Sequence, residues 1–140
     1  FQNTIAYVYR QSLEDPGAQV TRIRVRSLLM PPGFPDFVTR TRIVDAGPVM
    51  IRGRAWSGSG PIVRVELGVD GAWTEAKLDE PIDDFAWRGW SAEWIAEPGE
   101  HVLSCRATDE SGDTQPVDEA PWNYGGFGNN LIHTVPVTVR

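Results

Sequence analysis

The chain has 140 residues, 41% of them hydrophobic and 23% charged, a size that supports one hydrophobic core and one domain. Its net charge of −6 argues against nucleic acid as a partner, and no apolar run approaches the ~20 residues that cross a bilayer as a helix, so no membrane partner is expected. The lone cysteine, Cys105, excludes an internal disulfide and has no Cys/His neighbours at metal-ligand spacing, which leaves periplasm and cytoplasm both open.

Phe1 is neither an initiator Met nor the start of a signal-peptide pattern, so the chain is expected to be part of a longer polypeptide or a processed one. Residues 1–27 read as an extended arm that packs on a neighbouring domain, and residues 28–140 as the folded domain. In the arm, Arg22, Arg24 and Arg26 alternate with Ile23 and Val25. On a strand this sets three guanidinium groups on one face, free to bind an anion or a partner's carboxylates, or simply to be solvated. Pro31-Pro32-Gly33-Phe34-Pro35 can be neither helix nor central strand.

From there the apolar residues alternate with period two, interrupted by turn signals and never spaced as in a helix. Val49, Ile51, Gly53 and Ala55 share one face; so do Val63, Val65, Leu67 and Val69, then Leu103, Cys105 and Ala107, and last Leu131, Val135, Val137 and Val139. Asp70-Gly71 is a strong hairpin signal, because both central residues of a type I′ turn need positive φ. Consecutive antiparallel strands without intervening helices predict an all-β, immunoglobulin-like (E-set) antiparallel β-sandwich, with an open barrel as the lesser alternative.

Few residues invite chemistry. Asp79, Glu80, Asp83 and Asp84 match no calcium-ligand spacing, and Asp109, Ser111 and Asp113 fit turn chemistry better than a calcium loop. His101 and His133 lie on predicted strands with no nucleophile or carboxylate placed for a triad. On a strand from Phe85 to Ile95, Trp90 and Trp94 face one side and Trp87 the other. These three are interface candidates, because not all can enter one core and large aromatics are enriched at subunit contacts and on sugar-binding platforms alike. Residues 1–54 carry a net +4 and residues 55–140 a net −10, a polarity that suits a contact between subunits.

Taken in order, Gly53-Arg54-Ala55-Trp56-Ser57-Gly58, Val63 to Trp73, Ala76-Lys77-Leu78, Ala86-Trp87-Arg88-Gly89-Trp90, Arg106-Ala107-Thr108-Asp109, Gln115-Pro116 and Pro121-Trp122-Asn123 resemble the C-terminal dimerisation domain of sulfite oxidase-family molybdenum enzymes, in the bacterial manner. Val25 to Pro31 resembles the stretch that leads into that domain. The resemblance implies a homodimer that packs against a molybdopterin-binding domain of the same polypeptide, with molybdenum-molybdopterin held there and no cofactor in this chain. Cys105 does not inherit the metal-ligand role and reads as a buried small hydrophobe.

The resemblance further implies that Tyr7, Tyr9, Trp122, Asn123, Tyr124 and Gly125 rim the parent's substrate pocket. Eukaryotic sulfite oxidases carry an arginine where Gly125 stands, so the anion-clamping residue is absent here. The competing reading is a free-standing immunoglobulin-like binding module, for carbohydrate for example, which requires an exposed, coplanar row of tryptophans. An enzyme acting alone lacks a nucleophile, an acid/base pair and a metal site.

Overall fold

The computed structural model describes residues 2–83 and 86–140, and their regular secondary structure is almost wholly β-strand. A π-helical turn (Gln2–Ala6) precedes a short antiparallel ribbon of β1 (Val8–Tyr9) and β2 (Ala18–Gln19). Asp15 shapes the reversal between them, its carboxylate accepting the N–H of Gln11 at 2.9 Å and of Gly17 at 2.8 Å. Residues 1–27, read as an extended arm, hold this turn and ribbon, and β3 (Arg26–Leu29) begins inside their last two residues.

The remaining strands are β4 (Phe34–Pro35), β5 (Arg42–Val44), β6 (Gly47–Trp56), β7 (Ile62–Val69), β8 (Ala72–Glu75), β9 (Lys77–Leu78), β10 (Arg88–Ala96), β11 (Gly99–Asp109) and β12 (His133–Val139). They form a four-stranded sheet ordered β3-β6-β10-β9 and a six-stranded sheet ordered β4-β5-β12-β11-β7-β8. The proline-rich β4 falls at a sheet edge, where a missing N–H costs least. The inward faces meet in one core: Leu29, Ile51, Ala55, Trp90 and Trp94 from the smaller sheet, Val65, Leu67, Leu103, Cys105, Ala107 and Val137 from the larger. Asp70 and Gly71 take φ of 50° and 86°, the mirror-image turn their sequence requires.

Four details depart from the sequence reading. In β7, Ile62 is buried and Val63 exposed, because the pairing with β11 steps from Arg64 directly to Ile62; the extra residue in this bulge reverses the in-out parity before it. Leu131 lies before β12 rather than in it. β5 runs parallel to β12; the two are joined by no hairpin, so nothing obliges them to be antiparallel. The strand expected from Phe85 begins at Arg88, and Asp84 and Phe85 themselves lie outside the described residues.

His101 gives the fold a pH dependence. Its Nδ1 meets Asp70 Oδ2 at 2.7 Å and its Nε2 meets the Glu97 carbonyl at 2.9 Å. Both ring nitrogens therefore face acceptors, and the hydrogen bond to Asp70, against the opposing effect of burial, raises the pKa of His101 above its ordinary value. The sign follows: the stabilisation is fully present below the unfolded value of about 6.5 and is lost as pH rises through the folded value. His133, whose Nδ1 accepts the Leu29 N–H at 3.2 Å, is shifted down by burial and by Arg26, so it costs stability as pH falls. The melting temperature of His101→Gln should fall further below the parent's at pH 6 than at pH 9. A gap independent of pH would remove the His101–Asp70 pair from the account.

Candidate functional site

Residues 7–11 and 122–128 are more than a hundred positions apart, yet they form one patch. The Tyr124 N–H donates to the Arg10 carbonyl at 2.7 Å, and Gln11 Nε2 donates to the Trp122 carbonyl at 3.1 Å. Asn123, only 6% exposed, holds the loop from within: its Oδ1 accepts the Phe127 N–H at 3.0 Å and its Nδ2 donates to the Phe127 carbonyl at 2.5 Å. Phe127, thus fixed, packs its ring against Tyr7 with centroids 5.0 Å apart.

Tyr9 sits against Gly128, where a β-carbon would meet the phenol oxygen at 2.4 Å and where φ is +66°. Only glycine combines that backbone with that approach. The structure therefore brings together Tyr7, Tyr9, Trp122, Asn123, Tyr124 and Gly125. Trp122, Tyr124 and Tyr7 present exposed rings, whereas Asn123 is an internal brace. Gly125 is hemmed in, since a β-carbon there would stand 2.3 Å from Phe127 Cε2. Phe127, Arg10 and Gln11 went unnoticed in the sequence; a single apolar residue inside a glycine-rich segment was the available signal for Phe127.

Beside this patch lies a cavity of about 510 Å³ lined by Tyr9, Arg22, Arg24, Arg26, Trp56 and Phe127 among others. The Arg24 guanidinium stacks 4.4 Å from the Tyr9 ring centre and donates to the Gly128 carbonyl at 3.3 Å. That of Arg26 donates to the Asn129 carbonyl. All three arginines thus line one cavity, as does Ile23 between them, and only Arg26 lies in a strand.

The tryptophans divide differently from expectation. Trp90 is 1% exposed and Trp94 7%, so both are core residues; side chains covered this deeply by their own chain offer a partner no surface, which corrects their place among the interface candidates. Trp87 precedes β10 and is 66% exposed, with its ring 6.1 Å from that of Trp56 at 36°. Trp73 is stacked under Arg106 at 4.4 Å. No coplanar row of exposed tryptophans exists among the described residues.

Elsewhere the chemistry is structural. Burial drives the Asp109 carboxyl upward, but bonds from Ser111, Ser57 and the N–H groups of Asp113 and Ser111 more than offset it and hold its pKa below the ordinary value. Ser57 Oγ and Ser111 Oγ each donate to it at 2.6 Å. Cys105 is fully buried, and burial pushes its thiol up to about 11. Among the described residues no group of three or more His, Cys, Asp or Glu is placed to hold a metal ion.

Residues 18–140 match the family model described as the Mo-co oxidoreductase dimerisation domain. Mitochondrial sulfite oxidase of Mus musculus is 42% identical over 107 residues, covering 69% of this chain and 20% of that protein. NADH-type nitrate reductase 2 of Phaseolus vulgaris is 28% identical over 131 residues, covering 86% of this chain and 15% of that protein. Among solved structures, the sulfane dehydrogenase SoxCD from Paracoccus pantotrophus superposes over 99% of this chain and 38% of its own, with a TM-score of 0.76 and 25% identity. The chain therefore spans about a fifth of the length of the sulfite oxidases it matches.

Proposed function

This chain belongs to the Mo-co oxidoreductase dimerisation-domain family, and on that premise we propose that it pairs two copies of a longer molybdenum oxidoreductase and lends one wall to that enzyme's active-site cleft. The family match over residues 18–140 carries the pairing role. The convergence of Tyr7 and Tyr9 on the braced 122–128 loop supports the cleft wall: it gathers exposed aromatic rings on a backbone held at both ends. Trp87 is the tryptophan, of the three first considered, that remains available to a partner.

The residues present do not fit the metal itself. A cysteine binds a metal as an accessible thiolate, and Cys105 is a fully buried thiol titrating near 11. In this reading molybdenum-molybdopterin is held by another domain of the same polypeptide. The space that an arginine would need at position 125 is occupied by Phe127 packed on Tyr7, so substrate recognition in the parent differs from that of the eukaryotic sulfite oxidases.

Asn123→Ala in the parent enzyme tests the wall. It removes both side-chain bonds that brace the 123–127 loop, and a displacement of that loop on the order of 1 Å should lower kcat/KM by about tenfold or more, with the dimer unchanged. Unaltered kinetics in a variant whose loop has demonstrably moved would take this loop out of the cleft.

A further inference from the structure

We propose that the cavity between the Val20–Arg26 segment and the 127–130 loop is a binding site for an organic oxyanion, one with a charged head of two or more oxygens and a planar apolar body. It goes beyond the pairing and cleft-wall roles and needs neither of them.

The charge comes first. Arg22, Arg24 and Arg26 all line this cavity, and none of its lining residues is an Asp or Glu. Three like charges around one space repel each other, and an anion between them turns that repulsion into attraction. Their forks are partly set already: Arg24 is held by the Gly128 carbonyl and the Tyr9 ring, and Arg26 by the Asn129 carbonyl. Each carbonyl takes only a fraction of the five N–H donors a guanidinium carries. The Arg22 side chain has no hydrogen-bond or ion-pair partner among the described residues, so its full fork is available for the parallel two-bond contact that carboxylates and phosphates accept.

Size and lining set the rest of the ligand. A volume near 510 Å³ falls in the range of small-molecule sites, and a bare inorganic oxyanion would leave most of it to water. The apolar part of the lining is Val20, Ile23, Trp56 and Phe127. Ile23 is 64% exposed, an apolar side chain turned outward within a row of cations. A planar apolar body lying against these side chains would bury them, and the head would reach the guanidinium groups.

Isothermal titration of this 140-residue chain with phenylphosphonate, inorganic phosphate and benzamide separates the contributions. Phenylphosphonate should bind saturably and at least tenfold more tightly than either inorganic phosphate, which lacks the body, or benzamide, which lacks the charge. Arg22→Ala should weaken it at least fivefold with an unchanged circular dichroism spectrum. Arg52→Ala, an exposed cation on β6 outside the cavity, should leave it within twofold. No saturable binding, equal affinity for phenylphosphonate and phosphate, or equal losses from Arg22→Ala and Arg52→Ala would each overturn the proposal. None of these results bears on dimerisation or on the cleft wall.

Discussion

Gln115→Leu should cost the fold about 4 kcal/mol, roughly the sum of the buried polar groups it strands. Gln115 is 2% exposed, and its Oε1 accepts two backbone N–H groups at once, from Ser27 at 2.6 Å and from Ala107 at 3.0 Å. Its Nε2 donates to the carbonyls of Asn130 at 3.1 Å and Leu131 at 3.4 Å. One side chain thus ties β3, β11 and the approach to β12. Ser27 and Ala107 are both fully buried, so neither N–H recovers a bond from water when the amide is lost, and each costs about 1–3 kcal/mol. Set against a total stability on the order of 5–15 kcal/mol, that loss is large. Urea unfolding followed by tryptophan fluorescence should show the midpoint falling with little change in slope. Gln115→Glu should fare no better, since it removes the Nε2 donors and buries a charge. A loss below about 1 kcal/mol for Leu would mean that the two N–H groups find other partners.

Gly53→Ala should be nearly as damaging, for a steric reason. Gly53 lies opposite Trp90 on β10 and opposite Leu29 on β3. A β-carbon there would stand 2.2 Å from Trp90 Cζ2 and 2.3 Å from the Leu28 carbonyl oxygen. The indole is locked in the core and the carbonyl belongs to the neighbouring strand, so neither can yield cheaply. Overpacking usually costs about 1–3 kcal/mol, and this site should fall at or above the top of that range. In a double-mutant cycle, Trp90→Leu should recover part of the loss, with a coupling of at least ~0.5 kcal/mol, because it removes one of the two clashes. Strict additivity would show that the ring is not what excludes the methyl group.

These two positions also explain how much was legible in the sequence. The period-two pattern placed β6, β11 and most of β12 correctly, because alternate residues of a half-buried strand must alternate in polarity. It misjudged Val63, since a bulge shifts parity without leaving a mark in composition. The motifs that carried the family resemblance prove to be folding devices: Gly53 under Trp90, Ser57 bonded to Asp109, Gln115 spanning Ser27 and Ala107, Asn123 bracing Phe127. All but the Asn123–Phe127 brace join separate segments of the chain, so no local reading could have assigned those partners.

The aromatic signal was the weaker one. Trp90 and Trp94 were correctly placed on one face, but that face is the core rather than an interface, and alternation alone cannot say which side of a sheet meets water. The candidate rim was legible only through the resemblance. What the structure adds is physical: the 7–11 and 122–128 segments are bonded to each other, and Phe127, not a cation, fills the place beside Gly125.

Pairing is this chain's central role, and sedimentation velocity on the purified 140-residue chain tests it directly. The 15.5 kDa protomer should sediment as a species of twice its mass, shifting toward the protomer on dilution as a self-complementary two-fold contact requires. A single species of protomer mass at every concentration up to about 1 mM, a range that captures even contacts of only ~4 kcal/mol, would contradict it.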